Sequence, residues 1–202
     1  MRCVGLLSAA VVLVCGCATE SSYDPLQHYE ELDSTGVIDA PAPEPGLYSA
    51  HERDMMDSGE YLVELLGCGA CHTNGAFDGA PDMSRPLSGS DTGIAWTNPL
   101  KSNRPGVVYP PNITPDEESG IGRWSDLQIV NAIRDGSGQH GVRRITPMPW
   151  QGYTKISDDD VDAIVAYLRS IKPIKHKVPA PVNMGEKAHN PYVYFGVFRS
   201  KP

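Results

Sequence analysis

The chain has 202 residues, of which 17 are Lys or Arg and 25 are Asp or Glu, so its formal net charge is -8. An acidic balance of this size argues against nucleic acid and anionic lipid as partners and favours a basic surface on a partner protein.

The first predicted segment is an export signal over residues 1–16. Arg2 supplies a positive start, and Val4 to Val14 form an apolar core that is too short to span a bilayer. The run Val14-Cys15-Gly16-Cys17 resembles a bacterial lipobox, which implies that Cys17 becomes an acylated N-terminus. We therefore expect a lipid-anchored protein on the periplasmic side of a bacterial membrane. The alternative is a conventional cleavage site in which Cys15 and Cys17 are ordinary thiols.

Residues 17–50 are acidic and Pro-rich, with few apolar residues in any period. This composition predicts a disordered tether, with a strap on another subunit as the alternative. The folded domain is expected over 51–175, followed by a C-terminal extension over 176–202.

Three helices are predicted in the domain from capping patterns and apolar spacing. The first begins near Asp57, with Glu60 completing a capping box, and buries four apolar residues: Tyr61, Leu62, Leu65 and Leu66. The second begins at Ser125, with Gln128 at the box position and Ile129, Val130 and Ile133 buried, and ends at Gly136. The third begins at Ser157 and buries Val161, Ile164, Val165, Leu168 and Ile171.

The run Cys68-Gly69-Ala70-Cys71-His72 separates the first helix from a long Gly- and Pro-rich stretch. C-x-x-C-H is the attachment pattern of covalent c-type haem, in which two thiols bind the vinyl groups and the imidazole binds the iron. On one helical turn, Cys68, Cys71 and His72 can face the same ligand. The sequence thus predicts one covalent haem c, and an all-α fold whose long loops pack against it.

Two other site types use a similar cysteine pair. A structural zinc site needs four ligands, and the other cysteines, Cys3, Cys15 and Cys17, all lie at the N-terminus. A thioredoxin-like dithiol would accompany a βαβ pattern, whereas here a helix leads into the pair.

The chain also resembles class I cytochromes c, in particular the cytochrome c domains of membrane-bound alcohol and gluconate dehydrogenase complexes. The resemblance rests on four runs: Tyr109 to Asp116, Gly120 to Ser125, Arg134-Asp135-Gly136 and Met148-Pro149. It implies an all-α cytochrome c fold in which the helix before the haem motif crosses a C-terminal helix. Those dehydrogenase subunits usually carry several haem motifs, whereas this sequence contains one.

Met148 is the predicted sixth iron ligand, from the family pattern and from its position between Pro147 and Pro149, which restrict its backbone. His140 is the main rival and Met184 the third choice, while Met55, Met56 and Met83 are predicted to fill the core. His51, His176 and His189 lie in the flanking segments.

Other side chains are candidates for the surroundings of the haem. A carbonyl of Pro81 or Pro110 is the expected acceptor for the second ring nitrogen of His72. Arg143 and Arg144 either bind the haem propionates or are solvated. Four aromatic residues line the pocket or belong to the core: Trp96, Tyr109, Trp124 and Trp150.

These features predict a carrier of single electrons between redox proteins, without catalytic residues, small-molecule substrate or nucleic acid. One alternative is a fixed subunit of a respiratory or photosynthetic membrane complex, with Tyr192, Tyr194, Phe195 and Phe198 lying across a partner or folded back over the domain. A second is a haem enzyme or sensor whose distal position is open.

Overall fold

The computed structural model describes residues 27, 29–30, 32, 38–137 and 147–196. Five α-helices occur in this part of the chain: α1 (Ala50–Leu65), α2 (Cys68–His72), α3 (Asp126–Asp135), α4 (Trp150–Tyr153) and α5 (Asp158–Ser170). A 3₁₀-helix spans Ala76–Asp78, and three short strands form β1 (Gly93–Ala95), β2 (Val107–Val108) and β3 (Tyr192–Val193).

Several predictions concern residues outside the described ones, namely the export signal, Cys17, His140, Arg143, Arg144 and Phe198. No helix in the described part of the chain combines the length and apolar character needed to cross a bilayer.

The core lies where α1 and α5 pack together. At their contact, a Cβ built on Gly59 would come within 2.1 Å of the Ala163 carbonyl oxygen and 2.6 Å of Tyr167 Cβ. Only a residue without a side chain permits this approach. The predicted crossing of the helix before the haem motif with a C-terminal helix is therefore present.

Helix α1 begins about two turns earlier than predicted. The capping box is formed by Ser49 and Glu52, whereas the similar pair Asp57 and Glu60 lies inside the helix. The predicted start at Asp57 is therefore wrong, because a local capping pattern does not show whether an equivalent one upstream is used.

The buried face of α1 also differs from the prediction. Met56, Gly59 and Val63 are buried, whereas Tyr61 and Leu65 are 61% and 63% exposed. Leu62 and Leu66 pack at the margin of the core. The side of α1 that faces α5 is the side that carries Gly59, where the two helices come closest. A prediction from the spacing of apolar residues misses this side, because glycine is not counted among them.

The predicted bounds of α3 and the prediction for α5 are confirmed. Of the three α3 residues expected to be buried, Ile129 is buried, whereas Val130 and Ile133 are only partly buried at the margin of the core. Ser125 and Gln128 form a capping box, and α3 ends at Gly136 with a φ of 66°. Ser157 caps α5 by accepting a hydrogen bond from Asp160 N, and all five predicted apolar residues after it are buried. The three acidic residues of its first turn suit the positive end of the helix dipole.

A three-stranded sheet with the order β2-β1-β3 departs from the all-α expectation. Ile94 of β1 pairs with Val108 in the antiparallel direction and with Val193 in the parallel direction. β3 comes from the C-terminal extension, so this sheet joins residues about a hundred positions apart. The expected all-α class is wrong in this respect, because short strands paired over such distances leave no periodic signal.

The described part of the C-terminal extension folds back over the domain. Val182 and Val107 exchange two backbone hydrogen bonds of 2.8 and 2.9 Å. The Phe195 ring packs edge-on against Phe77, with 5.9 Å between ring centroids. The sequence predicts that the terminal aromatic residues either lie across a partner or fold back over the domain. Tyr192 and Phe195 fold back over the domain.

Residues 38–49, which the sequence places in the tether, also contact the domain. Ala40 N donates to Glu64 Oε1 (3.0 Å), the Tyr167 hydroxyl donates to Pro41 O (2.7 Å), and Glu44 N donates to Ser170 O (2.8 Å). The prediction of a free tether therefore needs correction for 38–49, where hydrogen bonds to α1 and α5 offset the ordering entropy of a Pro-rich segment.

We predict that Gly59→Ala destabilises the fold by about 1–3 kcal/mol, because the new methyl group overlaps the Ala163 backbone and forces the helices apart. Urea unfolding measures this. Gly152→Ala in α4 is the matched control, since a Cβ there has no heavy atom within 4 Å. Equal unfolding midpoints for the two variants would contradict the close-contact account.

Candidate haem site

The haem motif forms its own short helix. Gly67, with a φ of 68°, ends α1 and starts α2, whose five residues are the motif itself. Cys68 and Cys71 are one turn apart, both are free thiols, and His72 is the last residue of the helix. The predicted grouping of the two sulfurs and the imidazole on one turn agrees with this arrangement.

His72 is held in one orientation and one tautomer. Its side chain is almost fully buried, with 8% of the residue exposed, and its Nδ1 lies 2.7 Å from Pro111 O. Because a carbonyl oxygen only accepts, Nδ1 carries the proton and Nε2 is left with the lone pair that binds a metal.

Burial is the main cause that lowers the pKa of His72, and the hydrogen bond with Pro111 partly opposes it. The imidazole is therefore neutral near pH 7, as a metal ligand must be. The expected acceptors Pro81 and Pro110 are wrong: the chain turns so that the second proline of the pair, Pro111, presents its carbonyl.

Two loops enclose His72. Gly89 N in the first loop donates to His72 O (2.8 Å), and Ser90 N joins this loop to the second by donating to Pro110 O (3.0 Å). A Cβ on Gly89 would come within 2.8 Å of Asn112 N and 2.9 Å of Pro110 O, and its φ is 90°. Sequence reasoning missed Gly89, whose setting Leu87-Ser88-Gly89-Ser90 resembles any surface turn.

The two cysteines are partly buried. Burial raises the pKa of Cys68 to about 11, with a smaller contribution from Cys71, and burial also raises the pKa of Cys71. Two partly buried thiols one turn apart, next to a neutral imidazole with a fixed tautomer, fit the donor set of haem c. No group of three or more His, Cys, Asp or Glu side chains placed to hold a metal ion occurs among the described residues.

A sequence model of the family described as Cytochrome c matches residues 56–172, which include most of α1, the haem motif and α5. The chain belongs to the cytochrome c family. Covalently bound haem c is the cofactor that this membership implies, and the resemblance to cytochrome c domains is confirmed.

Three relatives show where similar cytochrome c sequences occur. The fructose dehydrogenase cytochrome subunit of Gluconobacter japonicus is 34% identical over 159 residues, which cover 76% of this chain and 29% of the relative. A nicotinate dehydrogenase subunit of Pseudomonas putida is 32% identical over 144 residues, which cover 70% of this chain and 10% of the relative. The alcohol dehydrogenase (quinone) cytochrome c subunit of Gluconobacter oxydans is 33% identical over 138 residues, which cover 66% of this chain and 26% of the relative. This cytochrome c chain thus spans less than a third of each of these relatives.

Met148 lies at the entrance to α4, where Trp150 N donates to Met148 O (2.8 Å). At the other end of α4, the Tyr153 hydroxyl donates to Leu66 O (3.3 Å), two residues before Cys68. This hydrogen bond places α4 beside the haem motif, where burial, followed by the two cysteines, raises the pKa of Tyr153. The role of Met148 as iron ligand stays a prediction.

The other candidate residues have varied positions. Met56 is buried as expected, but Met83 is 47% exposed, so its assignment to the core is wrong. Met184, His51 and His189 are exposed. Tyr109 is buried, and Trp124 packs at the margin of the core. His176 bonds to Ser88 O and Asp91 Oδ1.

We predict that the Cys68 thiol of the folded, haem-free polypeptide reacts slowly with iodoacetamide at pH 8. A pKa of about 11 keeps the thiol protonated there, whereas in urea it returns to about 8.5 and the reactive thiolate is more abundant. Peptide mass spectrometry measures the two alkylation rates, which should converge as the pH approaches 11. Equal rates at pH 8 with and without urea would contradict the burial of this thiol.

Proposed function

We propose that this cytochrome carries single electrons between a donor and an acceptor protein through one haem c held by Cys68, Cys71 and His72. The observation that carries the proposal is the hydrogen bond from His72 Nδ1 to Pro111 O, because it fixes Nε2 as the metal-binding nitrogen. One haem is proposed because the sequence contains one C-x-x-C-H motif.

When bound, haem c supplies an iron that gains and loses one electron. The residues of the chain would bind and orient it: Cys68 and Cys71 would form the covalent links, and His72 Nε2 would donate its lone pair to the iron. The Pro111 carbonyl oxygen accepts a hydrogen bond from His72 Nδ1, and this bond increases the basicity of Nε2. Met148 is the second proposed iron ligand, and its soft sulfur would favour the ferrous iron. No residue acts on a substrate.

The relatives support a dehydrogenase as the electron donor. Three of them are named as cytochrome subunits of fructose, alcohol and gluconate dehydrogenases, and none of these three names describes a catalytic subunit. We propose that the chain serves the same kind of complex as an electron-transfer subunit and is not itself an enzyme. A net charge of -8 favours a basic docking surface on the partner.

The rival function is a haem enzyme or sensor with an open distal position. The two functions differ in the ligation of the iron, since an electron carrier keeps both axial positions occupied. Support for ligation by Met148 comes from the prolines on both sides of it and from α4, which is bonded to Leu66 next to the haem motif.

We predict that the mature protein carries the mass of one haem in addition to the mass of its polypeptide and lipid anchor, and that the ferric form shows the weak sulfur-to-iron absorbance at the red end of the visible spectrum. Intact mass and a redox titration followed by visible spectra measure both. Met148→Ala should abolish this absorbance and lower the reduction potential, because the sulfur ligand is lost.

Met184→Ala is the matched control, since Met184 is exposed, and it should leave spectrum and potential unchanged. A mass that lacks the added haem would overturn the function as a whole. Loss of the absorbance in His140→Ala but not in Met148→Ala would transfer the ligand role to His140.

We further propose that the protein is lipid-anchored through Cys17 on the periplasmic side of a bacterial membrane. The support is the lipobox-like run Val14-Cys15-Gly16-Cys17 behind a short apolar export signal. Two or more acyl chains hold a protein stably on a bilayer, whereas one chain binds marginally. Such an anchor would keep the cytochrome close to a membrane-bound donor.

We predict that Cys17→Ser releases the protein from the membrane fraction into the soluble periplasmic fraction. Cys15→Ser, which changes a thiol two residues away, should leave it membrane-bound and is the control. Haem staining of the two fractions after cell lysis measures the distribution. If both variants stay in the membrane fraction, Cys17 is not the anchor.

A further inference from the structure

Asn112 follows Pro111 directly and is buried, with 3% of the residue exposed. Both the oxygen and the nitrogen of its side-chain amide form hydrogen bonds. Its Oδ1 accepts from Thr114 N (2.9 Å) and from the Thr114 hydroxyl (2.7 Å). Its Nδ2 donates to Ile174 O (2.7 Å), with Ser119 Oγ at 3.2 Å and His176 O at 3.4 Å. A buried amide bonded on both sides fixes the backbone that carries it.

Two acceptors of this amide belong to a segment that we name the clasp, residues 174–178. The clasp is bonded to the loop after Pro111 at two further points, Ile174 N to Thr114 Oγ1 (3.1 Å) and His176 N to Ser119 Oγ (2.9 Å). It lies beyond residue 172, where the match to the cytochrome c family ends. The clasp therefore lies outside the range that the family model matches and contacts the loop that carries Pro111.

The clasp also reaches the other loop around His72. His176 Nδ1 donates to Ser88 O (2.9 Å), because a carbonyl oxygen accepts only. A Cβ on Gly89 would come within 2.5 Å of Val178 Cγ1, so the clasp lies directly over this loop. The same segment thus holds the loop that bonds to the His72 carbonyl and the loop that bonds to the His72 ring.

We propose that Asn112 is a positioning residue for the axial ligand His72, and that it acts by fastening the Pro111 carbonyl to the clasp. This inference rests on the proposed electron-transfer function and adds how the ligand is tuned. The hydrogen bonds of the Asn112 side chain go to Thr114, Ser119 and the clasp, and not to the imidazole. Asn112 therefore acts through the position of Pro111 O.

Two measurable properties depend on that position. A short Nδ1–H···O bond protects the ring proton from exchange with water and makes Nε2 more basic, which stabilises the ferric iron. If the Pro111 carbonyl is free to move, the ring proton exchanges faster. The less basic ligand then stabilises the ferric iron less, and the reduction potential rises.

The test compares Asn112→Ala with wild type as full-length, haem-loaded proteins. We expect exchange of the His72 ring N–H, followed by NMR on the ferrous protein, to be about tenfold faster, and the reduction potential to shift upward. Asn98→Ala is the matched control, because the Asn98 amide caps a local turn by accepting from Leu100 N (2.9 Å). It should change neither quantity.

Thr114→Val supplies a second variant for the case in which Asn112→Ala does not fold. It keeps the side-chain shape, removes the hydroxyl that bonds to Asn112 Oδ1 and Ile174 N, and leaves Asn112 in place. We expect the same direction of change in exchange rate and potential, with a smaller size.

The proposal is overturned if the folded variants match Asn98→Ala in both exchange rate and potential. It is also overturned if only the unfolding midpoint changes, since a purely structural amide predicts that result. Each comparison uses protein that already carries haem with normal visible spectra. A negative result here therefore leaves the electron-transfer function intact.

Discussion

The hydrogen bond between His72 Nδ1 and Pro111 O, 2.7 Å long, is the interaction on which the site depends. It joins residues 39 positions apart and selects the tautomer in which Nε2 can bind iron. Without it, either ring nitrogen of the neutral imidazole can carry the proton, and Nε2 is not fixed as the one with the lone pair. The motif supplies the candidate ligands, and this bond determines that His72 presents Nε2 to a metal.

The rest of the fold keeps the two partners of this bond in place. Gly59 lets α1 approach α5, and α1 leads through Gly67 directly into α2 with the haem motif. Pro111 is held from the other side, by Ser90 N on the preceding Pro110 carbonyl and by the amide of Asn112. One half of the bond is therefore positioned by helix packing and the other half by loops that are bonded to one another.

The segments outside the family match add a further layer. Residues 38–49 are bonded to α1 and α5, and Ile38 lies against Gly69 of the haem motif. The C-terminal extension supplies β3 and the clasp. Both segments pack on the domain and cover the polypeptide around the haem motif. The surface of the domain around the haem motif is therefore formed partly by these segments, in addition to the helices within the family match.

The sequence by itself determined what depends on neighbours along the chain: the haem motif on one helical turn, the caps at Ser125 and Ser157, and the glycine that ends α3. Each is specified by residues within four positions, so a local pattern suffices. Only the tertiary structure decided that Pro111 is the acceptor, that α1 begins at Ala50, and that Ile94 pairs with both Val108 and Val193. The pairings of Pro111 and Ile94 depend on residues far apart in sequence. The sequence does not distinguish Pro110 from Pro111 as the acceptor, because the backbone conformation decides which of the two carbonyls faces His72. The sequence contains two equivalent capping patterns for α1, and the structure uses Ser49 with Glu52 and not Asp57 with Glu60.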